Sequence, residues 1–158
     1  MRALVLAAAA VAAVAVVAGI TGCAVDIVPD VGPPLAGACD PADSDPTVDV
    51  SFAHDIRPLM DRPRGMAGCG CHTPTNGLPS GIEQAGLDLG SIYTLRQGGR
   101  NSGSAIIVDG DPCASILVQK IESTPPFGSR MPLDGPPYLE DHEILLIRDW
   151  VAEGAQDN

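Results

Sequence analysis

Apolar and polar positions divide this chain into four unequal stretches. An almost unbroken apolar run covers Ala3 to Ile20. From Ala24 to Val50 no period of 2 or 3.6 can be laid on the residues; this stretch holds five prolines, six aspartates and no Lys or Arg, and it reads as an extended tether. Periodicity returns at Ser51, a helix cap, after which Phe52, Ile56, Leu59 and Met60 fall on one helical face. Pro58 has no N–H and crowds the carbonyl of His54, so it must kink or end that helix. A Gly-, Pro- and Thr-dense loop follows from Arg62 to Gly86.

Three further helices are expected. Ser91 caps Ile92 to Gln97, and Gly98-Gly99 closes it. Asp111-Pro112 pairs a capping carboxylate with a proline at the first helical position, and the pattern continues through Ile116, Leu117 and Ile121. The last helix runs from about Asp141 to Glu153, with Ile144, Ile147 and Val151 on one stripe and Gly154 as the stop. The acidic residues 140, 141 and 143 suit the positive end of its dipole. The expected class is all-α: about four short helices joined by long Gly/Pro-rich loops, with no internal repeat.

Composition sharpens this. The 158 residues include 18 Gly and 15 Pro but only five aromatics, so the core is short of large side chains. Covalent staples or a bulky apolar cofactor would supply the missing volume. A net charge of −11 excludes the electrostatic footprint of a nucleic-acid binder. No Ser-His-Asp order, phosphate loop or paired-carboxylate motif is present, so hydrolytic catalysis is not expected.

The first 22 residues have the marks of a secretory signal: a short basic start, an Ala/Val-rich segment and small residues before a break. Ile20-Thr21-Gly22-Cys23 resembles the bacterial lipobox, which makes Cys23 the lipidated first residue of the mature chain. A permanent membrane anchor is the alternative for an apolar run of this length. Export places the remainder where disulfides persist, and Ala24 after the cysteine points to the outer membrane, at its periplasmic face or surface. Processing also removes Arg2, leaving eight basic residues against twenty acidic ones. Attachment to membrane would then rest on the lipid rather than on charge. The resulting organisation is a signal over 1–22, an acidic tether over 23–50 and one domain over 51–158.

Candidate chemistry lies at Cys69-Gly70-Cys71-His72. In C-x-x-C-H two cysteines form thioethers to haem vinyl groups and the next residue, His, ligates iron. Cys71-His72 meets the adjacent half of that requirement; the first cysteine should stand at 68, where this chain has Gly68. One thioether, from Cys71, is therefore expected, with Cys69 a residue too close to reach the second vinyl group. Met131, in a Pro/Gly-rich loop before the final helix, is the candidate second axial ligand.

The remaining cysteines leave alternatives open. Without Cys23 there are four, and Cys39, Cys69 and Cys113 are disulfide candidates; a Cys69–Cys113 bridge, two bridges without any haem, or one bridge with Cys71 left for haem all fit an oxidising compartment. Zinc held by Cys69, Cys71 and His72 with Cys113 or Cys39 is a third account. His54 and His142 read as exposed helix residues.

Phe52 to Pro58, Cys71-His72, Gly86 to Leu89, Gly98-Gly99, Asp109 to Pro112, Ser115, Arg130-Met131-Pro132, Glu143-Ile144 and Trp150 to Ala155, in this order, resemble the planctomycete-type cytochrome c domain over about 105 residues. The resemblance implies a cytochrome c-like fold, haem c bound through Cys71 and His72, Met131 as distal ligand, and electron exchange with redox partner proteins. The rival expectation is a haem-free, disulfide-stapled domain of the same fold serving as a structural or interaction module at the cell surface.

Overall fold

A computed structural model describes residues 39–158 apart from 77, 78 and 124. The expected signal, the lipidation site Cys23 and most of the tether lie outside the described residues. Those described are helical, with no strand among them, and none of their helices is long and apolar enough to cross a membrane.

The helix starting after Ser51 forms in two parts. Ser51 caps it by accepting from the His54 N–H, and a π-helical turn over Phe52–Ile56 passes directly into α1, Arg57–Met60. Pro58 falls where the π-helical turn gives way to α1, and the helix ends two residues on, at Met60. Phe52, Ile56, Leu59 and Met60 are all buried, as their spacing requires. Helix α2, Ser80–Ala85, lies inside the stretch expected to be irregular, and Gly86 in the left-handed conformation ends it. Helix α3, Ile92–Gln97, carries the expected cap: Ser91 and Thr94 exchange hydrogen bonds as a capping box.

Asp111-Pro112 does not start a helix. The Asp111 carboxylate accepts from the Ala114 N–H at 3.0 Å and so caps a turn. Ser115 then takes an extended conformation, because its buried hydroxyl accepts from the Val108 N–H at 2.8 Å and donates to the Asp111 carbonyl at 2.9 Å. Helix α4 therefore begins only at Ile116 and ends at Ile121. Helix α5, Asp141–Ala152, is the longest element, and Ile144, Ile147, Trp150 and Val151 turn its inner face to the core. Trp150 is fully buried, stacked on Phe52 with ring centroids 5.4 Å apart, and its indole N–H donates to the Gln156 carbonyl.

The last part of the acidic segment is not extended but lies against α5. Cys39 is disulfide-bonded to Cys113, the Asp45 N–H donates to Asp149 at 2.7 Å, and the Val50 N–H donates to the Glu153 carboxylate. Arg148 of α5 donates to the Asp40 carbonyl. These contacts put Val50 in the core.

Candidate cofactor site

The cysteine loop folds back on itself before reaching the histidine. The Gly70 N–H donates to the Arg62 carbonyl at 3.1 Å, and a 3-10 turn over Gly70–His72 is closed by the His72 N–H donating to the Cys69 carbonyl at 2.7 Å. Arg62 also pairs with Glu143, tying the loop to the start of α5. Gly68 packs so closely on Arg62 that a Cβ there would fall 2.1 Å from the Arg62 Cβ. The position where C-x-x-C-H would place a cysteine admits no side chain in this backbone.

His72 is gripped from two sides. Its carbonyl accepts from the Leu89 N–H at 2.8 Å, and its ring Nδ1 lies 3.1 Å from the Leu87 carbonyl. A carbonyl only accepts, so Nδ1 carries the proton and Nε2 keeps its lone pair. Burial lowers the imidazole's pKa below its ordinary value; the Leu87 hydrogen bond opposes this and the Lys120 charge adds to it. The ring is thus held neutral, oriented and able to ligate, the arrangement in which metal-binding histidines are held by a second hydrogen bond. Helix α2 closes behind it: a Cβ on Gly81 would meet the His72 ring at 2.7 Å and the Cys71 carbonyl at 2.8 Å.

Cys69, Cys71, His72 and Met131 all line one cavity of about 450 Å³. Its walls are mainly apolar, with Leu87, Leu89, Ile106, Ile116, Leu117 and Phe127 contributing. That volume lies within the usual range for cofactor pockets. Both cysteines are free thiols. Burial, reinforced by neighbouring Cys71, pushes the Cys69 thiol up to about 12, so it is a poor nucleophile.

Met131 comes to the cavity on a strap fixed to the end of α4. Its N–H donates to the Lys120 carbonyl at 2.7 Å. The Lys120 ammonium donates to the carbonyls of Phe127 at 2.7 Å and Ser129 at 2.5 Å, and Arg130 Nε donates to the Ile121 carbonyl at 2.9 Å. Past Met131, Asp134 accepts from the Gly65 N–H at 2.8 Å and pairs with Arg64 at 3.6 Å, joining the strap to the cysteine loop.

The structure thus brings Cys69, Cys71, His72 and Met131 together and separates Cys39 and Cys113 from them. The bridge runs from Cys113 to Cys39, not to Cys69, because the docked acidic segment carries Cys39 to the turn before α4 while Cys69 faces the cavity. That pairing occupies both sulfurs offered as a further zinc ligand, and among the described residues no group of three or more His, Cys, Asp or Glu side chains is arranged to hold a metal ion. His54 and His142 are exposed, as expected.

Sequence reasoning missed Lys120 and Leu87. The first has a signal in retrospect: it is the only lysine in a chain with eight arginines. The second acts through its backbone carbonyl, which no residue type encodes. Compared with known proteins, the chain matches no family model, no curated protein and no solved structure.

Proposed function

We propose that this chain is an exported lipoprotein that carries a c-type haem through a single thioether at Cys71, with His72 and Met131 as axial ligands. The observation that carries this reading is the cavity itself. A neutral imidazole with its Nε2 lone pair uncommitted, a methionine on a fixed strap and a free thiol line the same apolar volume. The resemblance to planctomycete-type cytochrome c domains supports it. When bound, haem supplies one-electron transfer at iron. Leu87 orients the His72 ring, the strap presents Met131, and the apolar walls limit water, which together with methionine ligation raises a reduction potential. Electron carriage, not catalysis, follows, with redox proteins of the periplasm or outer membrane as partners and a lipid on Cys23 as the membrane attachment.

The test is the visible spectrum of protein purified from a host with haem-maturation machinery. A Soret band, a reduced α-band and a pyridine haemochrome typical of one thioether are expected, and His72→Ala should abolish the low-spin spectrum. Colourless protein would instead favour a haem-free stapled module, the reading supported by the Cys39–Cys113 bridge.

A further inference from the structure

Among the described residues Met131 makes one backbone hydrogen bond, and residues 125–130 before it lie in no helix and include Pro125, Pro126 and Gly128. Arg130 anchors the end of this stretch next to Met131, donating to the Ile121 carbonyl and lying over the Tyr138 ring, and the side chain of Lys120 holds the part from Phe127 to Ser129. Its ammonium bridges two carbonyls four and two residues before Met131, at 2.7 and 2.5 Å, and sits 4.8 Å from the centre of the Phe127 ring. Charge-assisted hydrogen bonds are the strong ones, and a cation over a ring face adds to them. Lys120 itself is fixed by its place in α4, and it lines the same cavity as His72 and Met131.

We propose that Lys120 is the positioning residue for the distal ligand: its ammonium pins the 127–131 strap so that the Met131 sulfur stays on iron. This rests on the haem reading above. Without the ammonium, two backbone carbonyls lose their donor and the strap opens more often, so an added ligand competes better for the vacated position. Removing a positive charge from the cavity wall also favours the ferric state.

The experiment compares wild type, Lys120→Met, Lys120→Arg and Met131→Ala as purified holoproteins. Lys120→Met keeps the length of the stem and removes the donors. Imidazole affinity of the ferric protein, the ring-current-shifted methionine methyl resonance of the ferrous protein and the reduction potential are the readouts. Lys120→Met should keep its haem and its single thioether yet bind imidazole at least ten-fold more tightly, weaken the methionine signal and shift the potential down. Lys120→Arg should return all three most of the way, because the guanidinium restores both charge and donors. A haem-loaded Lys120→Met protein with wild-type imidazole affinity and potential would overturn the inference and leave the haem reading standing. A haem-free wild type would instead remove the haem reading, and a haem-loaded wild type lacking the methionine signal would remove the role of Met131 and the inference with it. Should Lys120→Met fail to fold, acylation of folded wild-type holoprotein modifies the same sole side-chain amine and is read against the same scale.

Discussion

Replacing Cys39 and Cys113 together by Ser tests how the loop-rich domain is held. The bridge spans 74 positions, and constraining a loop of that length removes unfolded-state entropy worth on the order of 4.5 kcal/mol in the chain-entropy model. The native state should change little, because residues 39–50 have other anchors: Asp45 on Asp149, Val50 on Glu153 and the Asp40 carbonyl on Arg148. Most of the effect should therefore arise in the unfolded chain. For roughly 120 ordered residues that loss corresponds to a drop in Tm of about 18 °C. Scanning calorimetry at one fixed haem loading reads it, and wild type under reductant should converge on the variant. Near-native Asp45 and Val50 amide protection in the variant would localise the effect to the unfolded state. A melting temperature unchanged by either treatment would refute the reasoning, since this is the only disulfide among the described residues.

Three further perturbations probe other parts. Gly68→Cys recreates C-x-x-C-H, yet its Cβ would strike Arg62, so the expected result is a lower yield of folded protein and a haemochrome that still reports one thioether; a soluble, fully loaded two-thioether product would refute the close approach. Glu143 is held below its ordinary value of 4.5, first by the hydrogen bond from Arg62, so the pair's contribution is present above pH 4.5 and is lost as pH falls through the lower folded value. Glu143→Gln should flatten urea-unfolding stability over that acidic window relative to wild type, and parallel curves would count against the pair. Trp150→Ala removes the fully buried indole stacked on Phe52 and should cost about 3–5 kcal/mol, measured by urea unfolding.

Which elements were legible depended on whether their signals were local. Ser91, with Thr94 three residues on and Gly98 as terminator, specifies α3 without help from the rest of the chain. The stripe of Ile144, Ile147 and Val151 does the same for α5. Asp111-Pro112 carries an equally good local signal and fails, because Ser115 is drawn to Val108, a partner seven residues upstream that only the tertiary fold supplies. Cys39 pairs with Cys113 for a related reason. The acidic stretch lacks periodicity, and its attachment to α5 uses backbone N–H groups donating to Asp149 and Glu153, acceptors that belong to a distant helix.

The site was legible as a set of residue types and not as an arrangement. Cys71-His72 and Met131 are far apart in sequence, and what relates them is backbone: the Leu87 carbonyl that fixes the His72 tautomer and the Lys120 carbonyl that receives the Met131 N–H. The one-residue departure at Gly68 has the same character. Read along the chain it is a defective motif; read in space it is the point where the loop crosses Arg62 at contact distance, in a turn that also lets Arg62 reach Glu143. A second thioether and this loop path compete for one position. In the proposed reading the chain keeps the loop path and holds the macrocycle instead by the fixed imidazole, the strapped thioether of Met131 and the apolar wall. In that reading Cys69, half-buried and with its thiol pushed up to about 12, is a wall residue of the cavity and not a second point of attachment.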